Sequence, residues 1–89
     1  MRAYHFTIPA RLDSVLKDGI GFEVWKDYRR LNLDKDQDLI DAMKTVLDTK
    51  QLAIVEIEIP DRTWMTVNKD SAILYQTVDQ SWIVGHSIV

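Results

Sequence analysis

Alternation and helical spacing divide the chain into a short strand–helix opening, a longer helix in the middle and a series of strands behind it. From Tyr4 the pattern has a period of two. Tyr4, Phe6 and Ile8 point to one side of a strand and His5 and Thr7 to the other. Pro9 stops the ladder and suits the first turn of a helix, where its missing N–H would have had no partner. Leu12, Val15 and Leu16 follow at helical spacing, and Asp18-Gly19 ends the run. Gly19 is free to take a left-handed cap conformation, with Ile20 placed to fold back on the last turn.

Phe22 to Arg30 has no clean period and reads either as a short strand at Phe22–Trp25 or as a loop anchored by Trp25 and Tyr28. Arg30–Leu33 alternates as a strand. Asp34 then has N-cap character, with Gln37 at capping-box spacing and Asp36 and Asp38 where a helix N-terminus favours negative charge. Leu39, Ile40, Met43, Val46 and Leu47 form the apolar stripe of the principal helix, opposite a wet side of Asp38, Asp41, Lys44 and Asp48. The clearest strand is Gln51–Ile59, rich in β-branched residues. Ala53, Val55, Ile57 and Ile59 give it one apolar face, and Ile54, Glu56 and Glu58 take the other. After a Pro60-Asp61 turn, Thr63–Val67, Ala72–Thr77 and Ser81–Val84 are short strands, spaced for antiparallel pairing. The expectation is an α+β fold spanning 1–89 as a single domain: two helices packed on a small, mostly antiparallel, twisted sheet. Its expected core is Phe6, Leu12, Leu16, Ile40, Met43, Leu47, Val55, Ile57 and Ile83.

Composition narrows the function classes. At 89 residues, 46% hydrophobic and 28% charged, the chain suits one modest core without a disordered tract. A net charge of -3 supplies no basic footprint, so nucleic acid is not indicated as a partner. With no cysteine there is neither a disulfide frame nor a thiol nucleophile, and His5 and His86 lack the company of a zinc site, so no metal is expected. No apolar run approaches the roughly 20 residues of a membrane helix, and no signal pattern opens the chain. No membrane association and a cytoplasmic location are therefore expected.

Several side chains carry possible chemistry. His5 and Thr7 share a strand face, and both can donate to ribose or phosphate oxygens; a satisfied strand face is the commoner meaning of such a pair. Arg29 and Arg30, the one adjacent arginine pair, offer guanidinium groups to phosphate if the preceding segment is a flap, or solvation if it is a linker. Glu56 and Glu58 are spaced on one strand as a carboxylate pair able to stabilise an oxocarbenium-like centre, and equally as a solvated sheet face.

The opening YHFT followed by LDSVLKDGI resembles the ADP-ribosyltransferase-like superfamily, in particular its RNA 2′-phosphotransferase and small-toxin branches. There a strand carrying His-x-Thr precedes a short helix ending in glycine and a leucine or isoleucine. The resemblance implies a cleft for NAD, with His5 and Thr7 as nucleotide contacts. Element order is similar along nearly the whole chain, through the "Ile-Pro" strand end to WIVGHSIV; the motif match is confined to the opening. Two departures mark a reduced or divergent member. Phe6 stands where the family's commonest residue is glycine, and YQTVDQSWIV lacks the usual glutamate, leaving Asp79 as the nearest carboxylate, at a site also explained by turn hydrogen bonding.

Two functions are therefore expected. In the first, the domain binds NAD or an ADP-ribose-type ligand through His5, Thr7, Arg29 and Arg30, and Asp79 or Glu56 stabilises a ribosyl cation. The alternative is a non-catalytic protein-binding module, an inhibitor or regulator, using an acidic face and Trp25, Trp64 and Trp82.

Overall fold

A computed structural model describes residues Met1–Val89. Strand β1 is Arg2–Thr7; a 3₁₀ turn at Pro9–Arg11 leads directly into helix α1, Leu12–Asp18. Strand β2 is Arg29–Asn32 and helix α2 is Gln37–Val46. Strands β3 (Ala53–Glu58), β4 (Met65–Val67) and β5 (Ser71–Leu74) follow, then a 3₁₀ turn at Gln80–Trp82 and strand β6, Ile83–Ile88. All six strands join one sheet in the order β4-β5-β2-β1-β3-β6, every neighbouring pair antiparallel. The α+β architecture expected from the sequence is the one observed.

The first strand to be made thus lies inside the sheet, and both of its faces are covered. On one face Ala3, Leu31, Val55, Ile57, Ala72 and Leu74 are buried with Leu12 of α1, with Val15 and Leu16 packed against them. On the other, Phe6 and Ile54 are buried with Ile40 of α2, flanked by Leu39, Met43 and Leu47. One helix per face explains why β3 carries apolar residues on both sides. Ile54, assigned from its alternation to a partly polar face, is 2% exposed beneath α2. Each such fully buried aliphatic side chain contributes about 1.5–3 kcal/mol. Of the expected core, Phe6, Leu12, Ile40, Val55 and Ile57 are buried, whereas Leu16, Met43, Leu47 and Ile83 are partly exposed at its margins. Outside the expected set, Ala3, Leu31 and Ala72 are fully buried in the α1-side cluster and Leu52 in the α2-side cluster.

Several boundaries differ from the sequence pattern: β4 starts at Met65 rather than Thr63, and β5 ends at Leu74 rather than Thr77. The cap of α2 is Asp36, whose Oδ1 accepts from the Leu39 N–H at 2.8 Å, while Asp34 accepts locally from the Lys35 N–H at 2.7 Å. Both aspartates satisfy the composition rule for a cap, and only the one with extended backbone immediately before the turn can reach the third amide. Ser81 lies in a 3₁₀ turn, so the last strand starts at Ile83 and runs on to Ile88. Phe22–Trp25 is a loop, the second of the two readings of that segment, but Trp25 is almost fully exposed and does not anchor it. Gly19 stops α1, as expected, and its φ is positive at +78°, but its ψ of -161° is extended rather than the left-handed cap, and a Cβ there would lie 2.2 Å from the Val78 carbonyl oxygen. That close approach lets Ile20 and Val78 exchange backbone hydrogen bonds of 2.9 and 2.8 Å, tying the end of α1 to the segment before β6.

Candidate functional site: an opening between β1 and β2

Backbone alternation locates a gap in the sheet. Met1 and Ile59 exchange two backbone hydrogen bonds, so odd-numbered residues of β1 direct their N–H and C=O groups to β3 and even-numbered ones to β2. By the same logic the Leu33 N–H bond to the Asp70 carbonyl turns the odd-numbered residues of β2 toward β5 and Arg30 and Asn32 toward β1. The β1–β2 ladder closes at Tyr4 and Asn32 alone. Phe6 and Arg30, which a continued ladder would bring opposite each other, are not paired. The strands part there.

A hollow of about 400 Å³ occupies this opening, within the size range of small-molecule pockets. His5 and Arg29 line it from the α1 side, Phe6, Arg30 and Met43 are among those that line it from the α2 side, and Glu23 reaches it from the loop between α1 and β2. His5 shares its face with Ala3 and Thr7, and Arg29 shares its face with Leu31, so both point to the same side of the sheet. Of the two polar residues on the first strand, His5 lines the hollow, whereas Thr7 is buried at 6% exposure and does not.

The electrostatics of the opening follow from burial. Loss of solvent, helped by the Arg29 charge, pushes the His5 imidazole down to about 4, so it is neutral at pH 7, with one ring nitrogen a donor and the other an acceptor. Burial also lowers the Arg29 guanidinium, opposed by the negative charge of Glu23. Arg29 is a staple: its Nε donates to the Gly21 carbonyl at 2.7 Å and its Nη2 to the Phe22 carbonyl at 2.8 Å. Two further backbone bonds close the loop, from Glu23 N–H to the Tyr28 carbonyl at 2.8 Å and from Lys26 N–H to the Glu23 carbonyl at 3.0 Å. Arg30 is exposed and enters no ion pair.

The remaining site residues lie elsewhere. Glu56 stands on the α2 face, opposite Tyr4 in register, where its carboxylate meets Lys35 Nζ at 2.6 Å and Arg2 Nη1 at 3.2 Å. Hydrogen bonding to Lys35 holds it below the usual carboxylate range. Glu58 pairs with the N-terminal amine at 3.0 Å. Asp79 caps the 3₁₀ turn, accepting from the Ser81 N–H at 2.8 Å, a bond that lowers its carboxyl. It borders a separate hollow with Lys17, Asp18 and Thr77. Hence the structure brings together His5, Arg29 and Arg30, and sets Glu56 and Asp79 apart from them. No group of three or more histidine, cysteine or acidic side chains is arranged to hold a metal ion, and no helix is long and apolar enough to cross a membrane.

The acid that does reach the hollow is Glu23, a residue without a motif around it. In FEVWKDY it is one of two acids in an irregular segment, and nothing in the spacing separates it from Asp27. Its position becomes distinctive only once Arg29 folds the loop back over the end of β1. Comparison with protein-family models and with curated proteins finds no match to this chain.

Proposed function

We propose that the opening between β1 and β2 binds a nucleotide-type ligand of the NAD or ADP-ribose class. The observation that carries this reading is the convergence, in one hollow, of a neutral imidazole, two guanidinium groups and a carboxylate from three separate segments of the chain. Arg30 is free to engage a phosphate, which planar guanidinium groups recognise through paired hydrogen bonds. The neutral His5 ring contributes a directional hydrogen bond without adding charge. The likeness of YHFT and LDSVLKDGI to the ADP-ribosyltransferase-like opening supports the same ligand class, and the proposal is one of binding.

Titration of the full chain with NAD and with ADP-ribose, followed by backbone amide shifts, tests it. The expected result is movement at Tyr4–Thr7, Glu23 and Arg29–Arg30 that is lost in His5→Ala. No movement at millimolar ligand rejects the proposal. A second reading, a protein-binding module, draws on the tryptophans: Trp25 is 97% and Trp64 72% exposed, while Trp82 packs against the core. Tryptophan is enriched at interface hot spots. Stable capture of a macromolecule that Trp25→Ala abolishes, with the nucleotides silent, favours that reading instead.

A further inference from the structure

The two edges of the sheet are built differently. Strand β4 is three residues long, with Asp61 and Arg62 shortly before it and Lys69 and Asp70 shortly after. Short length and nearby charge are devices by which proteins blunt an open edge. Strand β6, at the opposite edge, has neither. Its six residues, IVGHSI, include no proline, lysine, arginine, aspartate or glutamate, and Val84 and Ile88 are 52% and 50% exposed. One device is present, a bulge where the register with β3 shifts at Glu56 and Ile57, and it leaves Gly85 onward regular.

Leu52 and Val89 exchange two backbone bonds of 2.9 Å, which sets the phase of the regular part: Gly85, Ser87 and Val89 turn their N–H and C=O groups to β3. His86 and Ile88 turn theirs to solvent. Strand backbone left unpaired in this way is a template for another strand. We propose that β6 pairs antiparallel with β6 of a second copy of this chain, about a two-fold axis through Ser87, joining two six-stranded sheets into one. Such an axis sets the backbone of His86 against that of Ile88 in the second copy, twice, so that every outward N–H and C=O of the two residues is bonded. Gly85 then faces Val89 of the second copy, and Ser87 faces its own counterpart. Charge favours a second copy as the occupant. Each chain carries a net charge of -3, yet the acids of the adjoining strand are compensated within the chain, Glu56 by Lys35 and Arg2 and Glu58 by the N-terminal amine and Arg2. The guarded β4 edges are left at the two ends, so assembly closes at two. Strands β1 and β3 stand between β6 and the opening, and dimerisation and nucleotide binding can therefore be lost independently.

Sedimentation velocity of the full chain from micromolar to millimolar concentration tests the pairing, with Ile88→Lys to guard the edge and single cysteines to fix the register. The expected result is a monomer that becomes a dimer as concentration rises, with association at least about 10-fold weaker in Ile88→Lys. The chain has no cysteine, so a disulfide formed by Ser87→Cys joins two copies. Facing residues of a non-hydrogen-bonded antiparallel pair lie about 4.5 Å apart at Cα, within disulfide range. Mild oxidation is therefore expected to cross-link Ser87→Cys faster than His86→Cys, because His86 faces Ile88 and not its own counterpart. Equal rates in the two cysteine variants overturn the axis through Ser87. Dimerisation of Ile88→Lys as tight as that of the wild type overturns the role of β6, and species that keep growing beyond two copies overturn the closed pair. A wild-type chain that is monomeric at every concentration overturns self-pairing altogether and leaves the edge to an extended segment of another protein.

Discussion

On its β3 side, β1 is paired from Arg2 to Thr7; on its β2 side it is paired at Tyr4 alone. The closed flank is built from Ala3, Val55 and Ile57, all fully buried, with Thr7 buried on the same face, and its charged residues are on the far face in ion pairs. Along the open flank stand His5, Glu23, Arg29 and Arg30. The same strand therefore serves packing through one edge and presents polar groups at the other. What differs between the two is whether the ladder continues: along β3 the backbone groups of β1 are paired strand to strand, and where the β2 ladder stops the strands part and polar side chains stand in the gap.

The closed flank is expected to respond most strongly to truncation. Ile57→Ala removes a side chain with no exposure, and an aliphatic-to-alanine change at such a site costs about 2–5 kcal/mol through lost transfer energy and the cavity left behind. Urea unfolding measures it. A loss below about 1 kcal/mol would mean that the sheet relaxes around the hole and that the two flanks differ less than their pairing implies.

The closed flank is also the part that could be read beforehand. In QLAIVEIEI the alternation that gives a strand its two faces is local, and the apolar stripe of α2 is local as well, so both elements and one buried side of each follow from neighbouring residues, whereas the burial of Ile54 beneath α2 and the exposure of Val46 at the end of the stripe do not. The opening is not local. It depends on β2 standing beside β1 and β5 rather than beside β3, and on the Arg29 staple to Gly21 and Phe22 carrying Glu23 to the end of β1. His5 and the arginines were recognisable by residue type and motif, whereas Glu23 has no periodic or motif signal. Asp34 and Asp36 illustrate the same limit at short range: composition offers two caps, and backbone direction selects one.

The open flank is expected to reveal itself in the pH dependence of stability. Native His5 titrates at about 4, against an ordinary value of 6.5. Between those values the unfolded chain binds a proton that the native ring refuses, so stability is complete above pH 6.5, declines as pH falls and levels off below about 4. At roughly 1.4 kcal/mol per pH unit the ceiling is about 3 kcal/mol, reduced by whatever water reaches the half-buried ring. His5→Gln removes this component while leaving that of the carboxylates, which makes the difference between the two pH profiles the quantity to measure. Parallel profiles between pH 4 and 6.5 would place the imidazole in water and dissolve the contrast between the flanks.

The smallest effect separates two adjacent arginines. Arg29 spends its guanidinium on two carbonyls of the loop that frames the opening, whereas Arg30 is exposed and unpaired. Replacing Arg29 with alanine is expected to cost about 1–2 kcal/mol, the scale of hydrogen bonds to a charged donor at a partly exposed site. Arg30→Ala should change stability by no more than about 0.5 kcal/mol, as for a surface position without partners. Urea midpoints give both numbers, and hydrogen exchange at the Glu23 amide, bonded to the Tyr28 carbonyl, locates the loss in the loop. Faster exchange in Arg29→Ala, but not in Arg30→Ala, is the expected pattern, because only the first cuts the ties that hold the loop over β1. Equal losses in the two variants would deny Arg29 its part in shaping the opening, and with it the reason for Glu23 to stand beside His5.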